Sequence, residues 1–117
     1  MSAADLMLRD PKKLTAEASV GEVRELLANP KVQMVLLVEG PAFKGAVTHI
    51  PDEASPRDRA VDYVDADAEV ISPDASDDEA FERTGASPNR RVIVLDENGS
   101  LLGLLCLNQS RTGFCRS

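Results

Sequence analysis

Apolar residues along the chain fall into two kinds of stretch. Met34-Val35-Leu36-Leu37-Val38 and Val92-Ile93-Val94-Leu95 are uninterrupted runs, long enough for a strand and too short for a buried helix, as expected of central strands covered on both faces. Each run meets turn residues, Glu39-Gly40-Pro41 or Asp96-Glu97-Asn98-Gly99, and then a second apolar stretch, Phe43 to Val47 or Leu101 to Leu107. That sequence of signals predicts a hairpin. After Ser19, by contrast, Val20, Val23, Leu26 and Leu27 recur at helical spacing and form an apolar stripe. Ser19 with Glu22, and Ser76 with Glu79, make the S-x-x-E pattern whose serine and glutamate satisfy orphan N–H groups of a first helical turn. The two capped helices are expected to stop at Asn29-Pro30 and at Gly85 followed by Pro88.

The same signals occur twice in one order. Ser19 and Ser76 are 57 residues apart (76 − 19), as are Asp5-Leu6-Met7 and Asp62-Tyr63-Val64 (62 − 5), and Leu14-Thr15 and Ile71-Ser72 (71 − 14). Gly45 and Gly103 match at an offset of 58 (103 − 45), as one inserted loop residue would produce. Internal repetition at a fixed period marks a duplicated structural unit. Each copy reads strand, helix, strand, strand. Between them a helical stretch is expected from about Ser55 to Val64, with Ser55 as cap and Pro56 in the first turn, where its missing N–H costs nothing. Neither copy alone carries enough apolar surface to offset chain entropy, so the two are expected to cover each other's sheets. The reading is therefore one module over residues 1–117, α/β (α+β) in class. The first motif covers about 3–54 and the second about 60–108, with a tail over 109–117 in which Phe114 folds back.

Composition narrows the function. With 43% hydrophobic and 28% charged residues the chain suits a folded globular protein. Its net charge of −7, from 20 acidic and 13 basic side chains, repels nucleic acid and anionic membrane. Three phenylalanines, one tyrosine and no tryptophan supply no stacking platform for single strands. The longest apolar run is far below the roughly 20 residues of a membrane span, and no secretory leader pattern opens the chain, so the expected location is cytoplasmic. Cys106 and Cys115 form no CxxC pair, and the expectation is two reduced thiols with neither a disulfide nor a metal site.

The order and duplication of these segments resemble the cystathionine-β-synthase (CBS) domain family, whose tandem pairs are called Bateman modules. The resemblance covers roughly residues 3 to 108. It is carried by Ala4-Asp5-Leu6-Met7 with Asp10-Pro11, Leu14 to Leu27, Gln33 to Glu39 and Gly45-Ala46-Val47-Thr48, and in the second copy by Val70 to Ser76, Val92 to Asp96 and Gly103-Leu104-Leu105. It implies two βαββ(α) motifs packed as a pseudo-twofold sandwich. It also implies clefts between the motifs, where some members bind AMP, ADP, ATP or S-adenosylmethionine. In the family the signature is glycine, two apolar residues, serine or threonine, two variable residues and aspartate, the hydroxyl contacting phosphate or ribose and the aspartate the ribose hydroxyls. Here Thr48 matches, Pro51 stands at the aspartate position and Asp52 is one residue late, while the second copy has Cys106 and Gln109 at those places. A helix commonly follows the last strand in the family, and 109–117 has no such pattern.

The nucleotide-binding residues the resemblance implies are Leu14, Thr15, Gln33, Met34, Val35, Thr48, Asp52 and Arg91. Plainer roles compete with each. Thr48 is also an ordinary β-former, Asp52 a first-turn acid beside a helix dipole, Arg90 and Arg91 a solvated strand edge, and the others strand and core residues. His49, the single histidine, has no nucleophile and orienting partner in a recognisable pattern, so no catalytic residue is assigned and no enzyme is expected. The acidic stretches Asp62 to Glu69 and Asp74 to Glu82 lack calcium-loop spacing and read as solvated faces. The expected function is a regulatory or sensor module for an adenosine-containing ligand, without cofactor or metal. The alternative is a ligand-free scaffold that dimerises through Leu6, Met7, Tyr63 and Val64. A homodimer is expected in either case.

Overall fold

In the computed structural model, which describes residues 1–9, 11–30, 32, 34–65, 68–87, 90–108 and 113–114, the elements follow the duplicated order. They are α1 (Ala3–Leu6), β1 (Lys13–Thr15), α2 (Val20–Leu27), β2 (Val35–Glu39), β3 (Ala42–Val47), a 3₁₀ helix (Ala60–Tyr63), β4 (Val70–Ile71), α3 (Asp77–Ala86), β5 (Arg91–Leu95) and β6 (Leu101–Cys106). The chain divides into two compact units, Lys12–Asp67 and Met1–Pro11 with Ala68–Ser117. Each holds a three-stranded sheet, ordered β1-β2-β3 in one and β4-β5-β6 in the other. The apolar runs therefore form the central strands, as their pattern predicts.

The two sheets share one register. β2 pairs parallel with β1 and antiparallel with β3, placing Val35 opposite Val47 and Leu37 opposite Gly45. β5 pairs in the same way with β4 and β6, placing Val92 opposite Leu105 and Val94 opposite Gly103. Both hairpins shift register at the residue after these, between Leu37 and Val38 and between Val94 and Leu95, so even the irregularity is repeated. The hairpin turns use Gly40 at φ 59° and Gly99 at φ 82°, where side chains other than glycine are strained.

Alternation along the strands builds each core. In the first unit Val35, Leu37 and Val47 face α2, and with Val20, Val23, Ile50, Ala54 and Ala60 they form a buried cluster. In the second, Val92, Val94 and Leu105 pack with Ala3, Ile71, Ala75 and Ala80. Leu36, Ala46, Ile93 and Leu104, which alternate with these, are buried as well. Both predicted serine caps are present: Ser19 Oγ accepts from Glu22 N–H and Ser76 Oγ from Glu79 N–H, each at 3.2 Å. A further cap at Ser2 was not read from sequence. The Ser2 N–H donates to Asp5 Oδ2 at 3.0 Å, and this bond, then that from the Ser2 hydroxyl, holds the Asp5 carboxyl below its ordinary pKa.

Three expectations need correction. The helix expected from Ser55 to Val64 is only the short 3₁₀ helix Ala60–Tyr63. The carbonyls that would continue it accept from the start of α2 instead: Pro56 O from Gly21 N–H at 3.0 Å and Asp58 O from Val20 N–H at 2.8 Å. Gly85 does not itself end α3, which runs one residue further to Ala86 with Ser87 as its C-cap. Leu6, Met7, Tyr63 and Val64, expected as a dimer contact, are partly buried against the cores of their own units.

The lead-in segments explain that last point. Leu8 and Leu104 exchange backbone hydrogen bonds at 2.8 and 3.0 Å, and the Asp65 N–H donates to Ala46 O at 2.7 Å. Each lead-in thus runs along the edge of a third strand. The first repeat's lead-in belongs to the unit built by the second repeat, while the second repeat's lead-in packs in the first unit. Phe114 folds back as expected. It bridges Leu107, meets Phe81 edge-on with ring centroids 6.2 Å apart and packs against the second core.

Candidate functional site

Thr48 follows the last residue of β3 and is half-buried. The sequence reading treated Asp65 as part of a solvated acidic face, but its carboxylate stands beside this threonine: Thr48 Oγ1 donates to Asp65 Oδ2. Their proximity follows from the backbone. Asp65 is held to Ala46 by its own N–H, and the adjoining Val64 can lie that close only because Gly45 has no side chain, since a Cβ there would sit 2.4 Å from Val64 Cγ1. No local signal in the sequence announces this pairing, although the repeat offset assigns Asp65 the place that Leu8 takes in the other copy.

The segment after Thr48 is fixed by a second residue that sequence reasoning missed. Arg24, on α2, directs Nη2 toward the carbonyls of Pro51, Ala54 and Asp52 at 2.8, 2.9 and 3.3 Å. Two N–H hydrogens shared among three carbonyls hold the turn closed and shape the stretch carrying His49 and Asp52, both exposed. Charge-assisted bonds of this kind contribute roughly 1.5–3 kcal/mol, so Arg24→Ala is expected to cost about 2 kcal/mol in urea unfolding. Arg24→Met, which keeps the apolar stem, should cost nearly as much; full recovery by methionine would show that packing rather than the carbonyl bonds matters.

The implied site residues are not all brought together. Met34 is buried just before β2, at the end of the sheet where Thr48 follows β3. Val35 belongs to the core of the first unit and Leu14 packs against it, which gives both side chains structural roles. Thr15 pairs with Val38, three residues beyond Val35, and so lies about 10 Å along β2 from the Thr48 end. Gln33 lies outside the described residues. Arg91 opens β5 in the second unit, where burial, then the charge of Arg90, lowers its guanidinium pKa from the ordinary value.

At the equivalent place in the second unit the chemistry differs. Arg91 stands opposite Cys106 there, and Leu8 takes the place of Asp65, so the Thr48–Asp65 pair has no counterpart at this position. Cys106 is disulfide-bonded, contrary to the expectation of a reduced thiol. The fold-back that pairs Asn108 N–H with Gly113 O brings the tail toward β6, a contact the linear sequence does not reveal; Cys115 lies outside the described residues. Among the described residues no group of three or more His, Cys, Asp or Glu is placed to hold a metal ion, and no helix is long and apolar enough to cross a membrane.

Two parallel–antiparallel three-stranded sheets of identical register, with crossed lead-ins, make the fold that of a CBS domain pair. Several of the solved structures it resembles bear that name. The cystathionine β-synthase pair domain of a Shewanella oneidensis protein matches with a TM-score of 0.78 at 16% identity, over 91% of this chain and 64% of that one. The CBS-pair protein CBSX2 of Arabidopsis thaliana matches at 0.74 and 18%, over 90% of this chain and 87% of that one. The cytosolic domain of the Mg2+ channel MgtE, in complex with ATP, matches at 0.70 and 22%, over 88% of this chain and 44% of that one. The chain thus spans less than two thirds of the length of the Shewanella and MgtE structures. No family model matches the sequence, and no curated protein does.

Proposed function

We propose that this chain is a regulatory module that binds an adenosine-containing small molecule at the Thr48 end of the first unit. The observation that carries the reading is the position of Thr48. It closes the run Gly45-Ala46-Val47-Thr48 at the end of β3, half-buried, in a fold whose MgtE counterpart is in complex with ATP. The proposed role is regulatory, and the exposed His49 is given no catalytic part in it. A bound metabolite would bias the geometry of the module, and a partner would read that bias.

The test is thermal unfolding of the full chain with AMP, ADP, ATP, adenosine and S-adenosylmethionine, each at millimolar concentration. A ligand at about 100 times its Kd stabilises by about 2.7 kcal/mol, several degrees of Tm for a chain of this size. A curve that none of the five moves would remove the reading. The competing one, a dimerising scaffold without ligand, is favoured by Pro51 at the aspartate position of the signature. It predicts a concentration-dependent dimer in sedimentation and no ligand-induced shift.

A further inference from the structure

From the pairing of Thr48 with Asp65 we infer that the site selects against phosphate: Asp65 is a specificity-determining residue that favours uncharged or cationic nucleosides over nucleotides. The inference rests on the proposed adenosyl site and names the ligand class within it. The chemistry is a count of donors and acceptors. A threonine hydroxyl has one hydrogen, and here it is given to Asp65 Oδ2. What remains on Thr48 is acceptor capacity only, and a carboxylate offers nothing else. The pair can therefore receive hydrogen bonds from a ribose hydroxyl or an amine, which nucleosides and nucleotides both carry, whereas a phosphate dianion itself has no hydrogen to supply.

Charge acts in the same direction. A phosphate within hydrogen-bond reach of Thr48 would lie beside the Asp65 carboxylate, a like-charge contact disfavoured in a partly desolvated place. Lys13, the cation that opens β1, belongs to the strand on the far side of β2 from β3, its backbone roughly two strand spacings or about 9.6 Å away. Asp65 is anchored independently of its side chain by the bond from its N–H to Ala46 O and by the Val64–Gly45 contact. The carboxylate is therefore presented by the fold, and Asp65→Asn alters its charge with the backbone kept. Asparagine can also donate, which restores a partner for phosphate oxygens.

The experiment is isothermal titration of the intact wild-type chain and of Asp65→Asn with adenosine, S-adenosylmethionine, AMP and ATP at one ionic strength. Wild type is expected to bind adenosine or S-adenosylmethionine at least about tenfold more tightly than AMP or ATP, the effect of one adjacent like charge. In Asp65→Asn that ratio should fall toward one or reverse. AMP or ATP binding wild type as tightly as adenosine would overturn the selectivity while leaving the adenosyl site standing. So would an unchanged ratio in a folded Asp65→Asn. Absence of binding by all four to wild type would overturn the site itself and the selectivity with it. The wild-type ratio decides the matter even if the variant fails to fold, and circular dichroism reports that separately.

Discussion

Gly45→Ala and Gly103→Ala are each expected to lower unfolding stability by about 3 kcal/mol, far beyond the usual effect of a surface glycine. Both glycines lie where a lead-in crosses the third strand. A Cβ at Gly103 would stand 2.5 Å from Leu8 O and 2.6 Å from Met7 Sδ. Leu8 O is backbone, and it accepts from Leu104 N–H at 3.0 Å, so it cannot retreat without breaking the edge pairing. At Gly45 the clash is with Val64 Cγ1 at 2.4 Å, and the backbone φ of +153° adds strain for any side chain. Gly40 and Gly99 are the controls. Their φ values of +59° and +82° disfavour alanine, but nothing lies within 4 Å of a Cβ, so each should cost about 1 kcal/mol, the price of left-handed backbone alone. Urea midpoints at constant m-value measure all four. Equal losses at Gly40 and Gly45 would mean that the lead-in does not pass where the structure puts it.

That glycine pair also shows how far the sequence could be read. The matched positions of Gly45 and Gly103 were visible as a register mark, and the strands, hairpins and serine caps were visible because each is a local signal: alternation, a turn dipeptide, a hydroxyl three residues from an N–H. The reason for the glycines was not visible, since it is contact with Val64 and Met7, far away in the chain. The same limit explains the other misses. Ser55 to Val64 has good caps for a helix, yet the carbonyls of Pro56 and Asp58 are taken by α2. Asp65 looks solvated amid other acids until its segment is laid along β3. Arg24 looks like one more charge on a polar helix face until its Nη2 finds three carbonyls. Site chemistry depends on which edges meet, and edge pairing is not a periodic property of the sequence.

Leu37→Ala and Leu105→Ala should each cost about 3 kcal/mol, within the usual range of 2–5 for a buried leucine, because both side chains are fully buried and removing three carbons leaves a cavity that stiff neighbours cannot fill. Leu37 shares the first buried cluster with Val20, Val23 and Val47, and Leu105 the second with Val92, Ala3 and Ala80. β-branched valines have little rotamer freedom with which to collapse inward, and alanines have no rotamers to offer. The two losses should differ in place. Hydrogen exchange is expected to quicken first in β1–β3 for Leu37→Ala and first in β4–β6 for Leu105→Ala, since each leucine supports a separate buried cluster and local openings follow such clusters. Val70→Ala is the matching control on a strand: the side chain is 40% exposed, so the loss should stay near 0.5 kcal/mol. A Leu105→Ala variant whose earliest exchange appeared in β1–β3 would contradict the assignment of Leu105 to the core that α1, β5 and α3 enclose, and with it the packing of the first lead-in on the second repeat's sheet.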